Sequence, residues 1–146
     1  MTNPLEDLLR KPDLRDLART PMHMVMGTRL VVICQRAGHD PREALAERLG
    51  SPLAATRLLT AVQIVGDHWP DCFLISPPCC RGLGPDEMAL SAMTAAAAAN
   101  DRPRFDTACS EMLDAEARDA TYAALSAFAR ALPPRAAASA CSSRDG

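Results

Sequence analysis

A chain of 146 residues with a formal net charge of −2 has the size of one ordinary domain, and at that length a core forms without metal or disulfide staples. Apolar residues make up 48% of the sequence but aromatic residues only 3%, so the core must be Leu, Val, Ile, Met and Ala at close helix–helix spacing. That composition favours helix over sheet and points to an all-α fold, a single bundle of five or six helices. The charge balance lacks the basic excess of a dedicated nucleic-acid binder.

The longest apolar run, Leu30–Cys34, is far shorter than a membrane span. The opening Met1-Thr2-Asn3-Pro4-Leu5-Glu6-Asp7 has neither a basic n-region nor an apolar h-region. The expected setting is therefore cytoplasmic, and the six cysteines read as reduced thiols or ligands, not as a disulfide framework.

Residues 1–20 form an expected N-terminal helical arm, with short pieces at Pro4–Arg10 and Asp13–Arg19 separated by Lys11-Pro12. Its leucines (Leu5, Leu8, Leu9, Leu14, Leu17) suit either docking on the body or contact with a protein partner. Residues 21–132 are the expected helical domain, and residues 133–146, rich in Ala and Ser, an expected disordered tail.

Within the domain, Pro21–Ala37 reads as a helix with an apolar stripe at Met22, Met26, Leu30, Ile33 and Ala37, stopped by Gly38. Met22, Met24 and Met26 suit core filling better than an adaptable binding surface. Asp40-Pro41-Arg42-Glu43 is a helix start, and that short helix ends at Gly50. Ser51-Pro52 opens the next, with Ala55, Leu58, Val62 and Val65 on one face and an expected end at Gly66. Helix returns at Pro85-Asp86-Glu87 and runs through the alanine tract to about Ala99, where small side chains permit close approach within the fold or across a homo-oligomer. Asp101-Arg102-Pro103 and Asp114 start the last two helices, with Phe105, Ala108, Cys109 and Met112, and then Leu125, Phe128 and Leu132, facing inward.

Between these halves, Asp67–Gly84 changes character. It carries three prolines and three cysteines, with Trp69, Phe73, Leu74 and Ile75 to order it. A loop of this length in a small domain is often functional. Its chemistry-bearing residues are His68, Cys72, Cys79 and Cys80. Imidazole and thiolate are the usual ligands of zinc, and thiolate also suits cuprous copper and iron–sulfur clusters. The four form a conceivable two-armed clamp for Zn2+, although no Cys-x-x-Cys is present and adjacent cysteines diverge in extended chain. A second reading is thiol chemistry at Cys79-Cys80, where Arg81 and the helix that follows favour the nucleophilic thiolate. The plain alternative is that the aromatic residues and cysteines plug the loop onto the helices, with His68 closing a helix.

Elsewhere, Cys34 and Cys109 read as core, Cys141 lies in the tail, and His23 and His39 have no evident partners. Ala46–Leu59 has the outline of a helix-turn-helix with Arg48 and Arg57 available to phosphates. Ser51 and Thr56 stand where that pattern wants apolar residues, so an ordinary αα-corner fits better. The sequence has no phosphate-binding glycine loop and no nucleophile or metallohydrolase signature. Asp86 and Glu87 read as first-turn acids serving the helix dipole, not as a catalytic pair.

From Arg29 through Leu132 the chain resembles small bacterial all-helical proteins with a Pro-Cys-Cys loop. The residues that carry the resemblance are Asp40-Pro41, Trp69-Pro70, Pro78-Cys79-Cys80 and Pro85-Asp86-Glu87. It implies a helical fold and a cysteine-bearing loop, and no activity. The functional expectation is a non-enzymatic helical binding module, metal-binding or thiol-responsive through His68, Cys72, Cys79 and Cys80. An assembly or interaction module with a structural loop is the alternative, and a DNA-binding regulator the weaker one.

Overall fold

Short local signals set the helix boundaries. In the computed structural model, which describes residues 12–134, Ser51, Asp101 and Asp114 cap helices as expected, whereas Pro41, not Asp40, is the N-cap of its helix and the first helix starts at Arg19, ahead of Pro21. Six α-helices follow a 3-10 turn at Leu14–Asp16: α1 Arg19–Arg36, α2 Arg42–Leu49, α3 Pro52–His68, α4 Pro85–Ala98, α5 Arg102–Cys109 and α6 Ala115–Ala131. The side chains of Ser51, Asp101 and Asp114 accept the amides of Ala54, Arg104 and Ala117, at 3.1, 3.1 and 2.8 Å. Each satisfies a donor that a helix N-terminus leaves open. Gly50, in the left-handed region at φ 75°, turns the chain from α2 into α3.

The fold is an all-α bundle, and no strand occurs among the described residues. Helix α3 packs along α6, α1 lies against α4, and α4 also meets α5 and α6. The core joins Met24 and Val31 of α1, Leu58 of α3, Leu90 and Met93 of α4, Phe105 of α5, and Leu125 and Phe128 of α6. The close approach of α1 to α3 depends on Gly27, where a Cβ would stand 2.3 Å from a Leu58 methyl. At the rim, Arg102 bonds Asp106 and Asp119 and lies 5.1 Å from the Tyr122 ring centre, tying α5 to α6.

Three expectations are corrected. Asp13–Arg19 is not one helical piece: a single 3-10 turn covers Leu14–Asp16, Leu17 and Ala18 are extended, and α1 begins at Arg19. The inward face of α1 is not the stripe from Met22 to Ala37. Met24, Val25, Thr28, Arg29 and Val31 are buried, while Met22, Met26 and Leu30 are half-buried and Ile33 and Ala37 exposed. The helix is turned so that Arg29, a charged residue, faces inward. Helix α3 also runs past Gly66 to His68. Gly66 keeps an ordinary helical φ, and the helix ends where Pro70 holds Trp69 in extended backbone, at φ −64° and ψ 136°. The expected helical piece at Pro4–Arg10, Cys141 and most of the tail lie outside the described residues.

Candidate functional site

The cysteine-bearing segment is built as a strap between α3 and α4. Trp69 is buried at its start and packs edge-on against Phe73, with ring centres 4.9 Å apart. Leu83 is buried at its far end. Between them the Leu74 amide donates to Asp86 Oδ2 at 2.7 Å. A tight turn follows, closed by Cys80 N–H donating to the Pro77 carbonyl at 3.0 Å, with Pro78 and Cys79 at its centre. Proline suits the first central position of such a turn because its φ is already set.

Beneath the strap lies a buried ion pair. Arg29 and Glu87 have side chains 0% and 1% exposed. Arg29 Nε donates to Glu87 Oε2 at 2.6 Å and Nη2 donates to Oε1 at 3.0 Å, a two-bond fork. The remaining guanidinium donors reach the strap itself. Nη1 bonds the Cys80 carbonyl at 2.6 Å and, more loosely, that of Pro77 at 3.4 Å, and Nη2 bonds the Gly82 carbonyl at 3.0 Å. Glu87 completes the arrangement by accepting the amides of Gly84 at 3.0 Å and Ser76 at 3.3 Å. Burial penalises the Glu87 charge, but bonds from Arg29, Gly84 and Ser76 outweigh it and hold the carboxyl below the ordinary glutamate range. A single buried charge pair thus organises the turn that carries the vicinal cysteines.

The N-terminal segment closes over the same turn. Leu14 N–H donates to the Arg81 carbonyl at 2.6 Å and Leu83 N–H to the Pro12 carbonyl at 2.8 Å, so Asp13 and Gly82 form an isolated antiparallel bridge. Residues 80–83 therefore have Arg29 on one side and residues 12–14 on the other.

The sequence-derived site residues are distributed along this strap. His68 is the exposed last residue of α3, and Cys72 and Cys79 are exposed. Cys80 is half-buried, its thiol directed at the Gly82 carbonyl 3.6 Å away. Among the described residues, no three His, Cys, Asp or Glu side chains are grouped so as to hold a metal ion. Cys79 and Cys80 are chain neighbours on the turn closed by the Cys80 amide.

Cys109 is fully buried with its thiol on the Phe105 carbonyl at 3.2 Å, and burial raises its pKa. Cys34 is half-buried on α1. His23 is half-buried, and burial together with the charges of Arg19 and Arg48 lowers its pKa. Arg48 and Arg57 are both exposed on the α2–α3 corner. Among the described residues no helix is long and apolar enough to cross a membrane.

Sequence reasoning missed the residues that organise the site. Arg29 precedes the apolar run Leu30-Val31-Val32-Ile33, and Glu87 reads as a routine first-turn acid. A charge embedded in an apolar stretch was the one available signal; its partner is 58 residues away. The chain matches no protein-family model, no curated protein and no solved structure.

Proposed function

We propose that the protein is a non-enzymatic helical binding module that responds through the vicinal thiols Cys79 and Cys80. The observation that supports this reading is the hold of buried Arg29 on the Cys80 carbonyl at 2.6 Å. An event at the two sulfurs that reshapes the turn must strain or break that bond, and the bond leads directly into the α1–α4 core through Glu87. Exposed Cys79 gives access, and half-buried Cys80 gives the link inward. The ligand class is a thiophilic centre that accepts two sulfurs: a soft metal ion or a trivalent arsenical.

Phenylarsine oxide tests this. Its arsenic–oxygen bond is replaced by two arsenic–sulfur bonds, the two thiol protons leave with the oxygen as water, and no redox step is needed. One adduct per chain is expected. Cys79→Ser and Cys80→Ser should each abolish it, and Cys72→Ser should leave it intact. Binding should lower the melting temperature and speed amide exchange at Leu14 and Leu83. An adduct that leaves both readouts unchanged would overturn the proposal, as would an adduct that persists without Cys80. A Zn2+ site built from all four of His68, Cys72, Cys79 and Cys80 requires the strap to rearrange. It would show itself as stoichiometric zinc lost on substitution of any one of the four, and that outcome would replace the vicinal-thiol reading.

The assembly reading has its own support in the exposed apolar side chains Leu53, Leu74, Ile33 and Met88, of which Leu74 is 67% exposed on the strap. Single apolar side chains at a surface are common. Light scattering decides it: a self-associating chain should dissociate on Leu74→Ser.

A further inference from the structure

Helices α1 and α3 are separated by a crevice that the strap does not fill. Its inner part is a cavity of about 150 Å³ walled by Met24, Thr28 and Val32 of α1, Val65 of α3, Leu90 of α4, and Phe73 of the strap. The one hydroxyl in that wall, on Thr28, is already committed to the Met24 carbonyl at 2.7 Å. The inner part therefore offers a ligand apolar contact and nothing else. An apolar pocket of this volume has room for a group as large as a benzene ring.

The outer part is an open cleft of about 500 Å³ along the same two helices. Gln35, Gln63, Asp40, Arg42 and Asp67 supply its polar surface. The two parts share Val62 and Gly66 as a common wall. Gly66 brings no side chain to that wall, and a Cβ built there meets nothing within 4 Å.

Charge selects the ligand. Arg42 and Asp40, both exposed, offset each other in charge, the guanidinium lying 3.7 Å from the carboxylate that also accepts the Arg42 amide at 3.0 Å. Asp67 then sets the sign of the cleft. It stands in the last turn of α3, where helix carbonyls add further negative potential. Gln35, in the last turn of α1, adds a second helix C-terminus on the same side.

We propose that this crevice binds a small amphiphilic amine, its apolar body beneath Phe73 and its ammonium group at Asp67. The site is separate from the vicinal thiols and does not depend on the thiol reading.

The test uses the whole chain and three probes of similar size: 2-phenylethylammonium, 2-phenylethanol and 3-phenylpropanoate. Amide chemical shifts are followed through each titration. The ammonium probe should saturate, with a Kd of about a millimolar for a ligand this small. Its shifts should be centred on α1 and α3. It should bind about tenfold more tightly than the carboxylate, as one exposed opposite charge allows. Asp67→Asn should reduce the ammonium probe to the level of the alcohol. Gly66→Leu should abolish binding of all three probes; its side chain starts in open space on a helix, so the fold should persist with an unchanged helical spectrum. Failure of the ammonium probe to saturate would overturn the proposal. So would equal affinity for ammonium and carboxylate, or binding that survives Gly66→Leu.

Discussion

Replacing Arg29 by methionine keeps much of its length and removes its charge. The loss falls on several partners at once: both bonds to Glu87, the bonds to the Cys80 and Gly82 carbonyls, and the weaker one to Pro77. Leaving one member of a buried ion pair uncompensated costs about 3–5 kcal/mol. Glu87 retains the amides of Gly84 and Ser76, which offsets part of that. The strap carbonyls are near enough to the surface to turn toward water and add only about 1 kcal/mol. The expected cost of Arg29→Met is therefore about 4 kcal/mol, a large share of a domain stability of about 5–15 kcal/mol. For a chain of this size that lowers the melting temperature by roughly 8–16 °C. Arg29→Lys should recover little, because one ammonium cannot reproduce a planar fork together with carbonyl bonds on two sides. Urea unfolding followed by circular dichroism measures the cost. The double variant Arg29→Met/Glu87→Met should cost less than the sum of the two singles by about 2 kcal/mol or more. A single-variant cost below about 1 kcal/mol, or additive singles, would refute the assignment of this pair as the organiser of the strap.

Acid should destabilise the protein in two steps of the same sign. His23 has its folded pKa lowered, so protons go preferentially to the unfolded chain as pH falls below the ordinary histidine value of about 6.5. Glu87 is likewise lowered, so its contribution is complete above the ordinary glutamate value of about 4.3 and is lost as pH falls below it and through the folded value. Melting temperature against pH checks both, and His23→Gln should remove the upper step. Alkylation of the native protein should modify Cys72 and Cys79 first, Cys80 and Cys34 more slowly, and Cys109 only on unfolding, as peptide mapping over time would show. Gly27→Ala should cost about 1–3 kcal/mol through overpacking against fully buried Leu58. Ser51→Ala should cost about 1 kcal/mol through loss of the α3 cap. Chemical denaturation measures both.

The local features were readable in the chain because their causes are local. Asp101, Asp114 and Ser51-Pro52 cap helices within three residues of themselves, and Gly50 turns left-handed where the pattern stops. The order of the strap was readable too, from Trp69, Phe73, Leu74 and Ile75, which an unstructured linker would not carry, although Leu74 itself stands exposed. The inward face of α1 was not readable. Counting apolar residues turns Arg29 outward, since a buried charge alone is prohibitive, and only the distant Glu87 reverses that sign. Gly66 misled for a related reason. Glycine ends a helix where the backbone turns left-handed, and nothing near Gly66 reveals that this one does not. For the four candidate ligands, residue type and spacing could nominate His68, Cys72, Cys79 and Cys80, but their mutual placement depends on where Arg29 draws the strap carbonyls.

The guanidinium of Arg29 occupies the place that a bound cation takes in many carbonyl-lined loops. Because the chain carries its own permanent positive centre there, the shape of this turn is fixed by heredity and not by supply. Of its two sulfurs, that of Cys80 leans on the Gly82 carbonyl, and that of Cys79 stands exposed, at liberty to meet whatever reaches it.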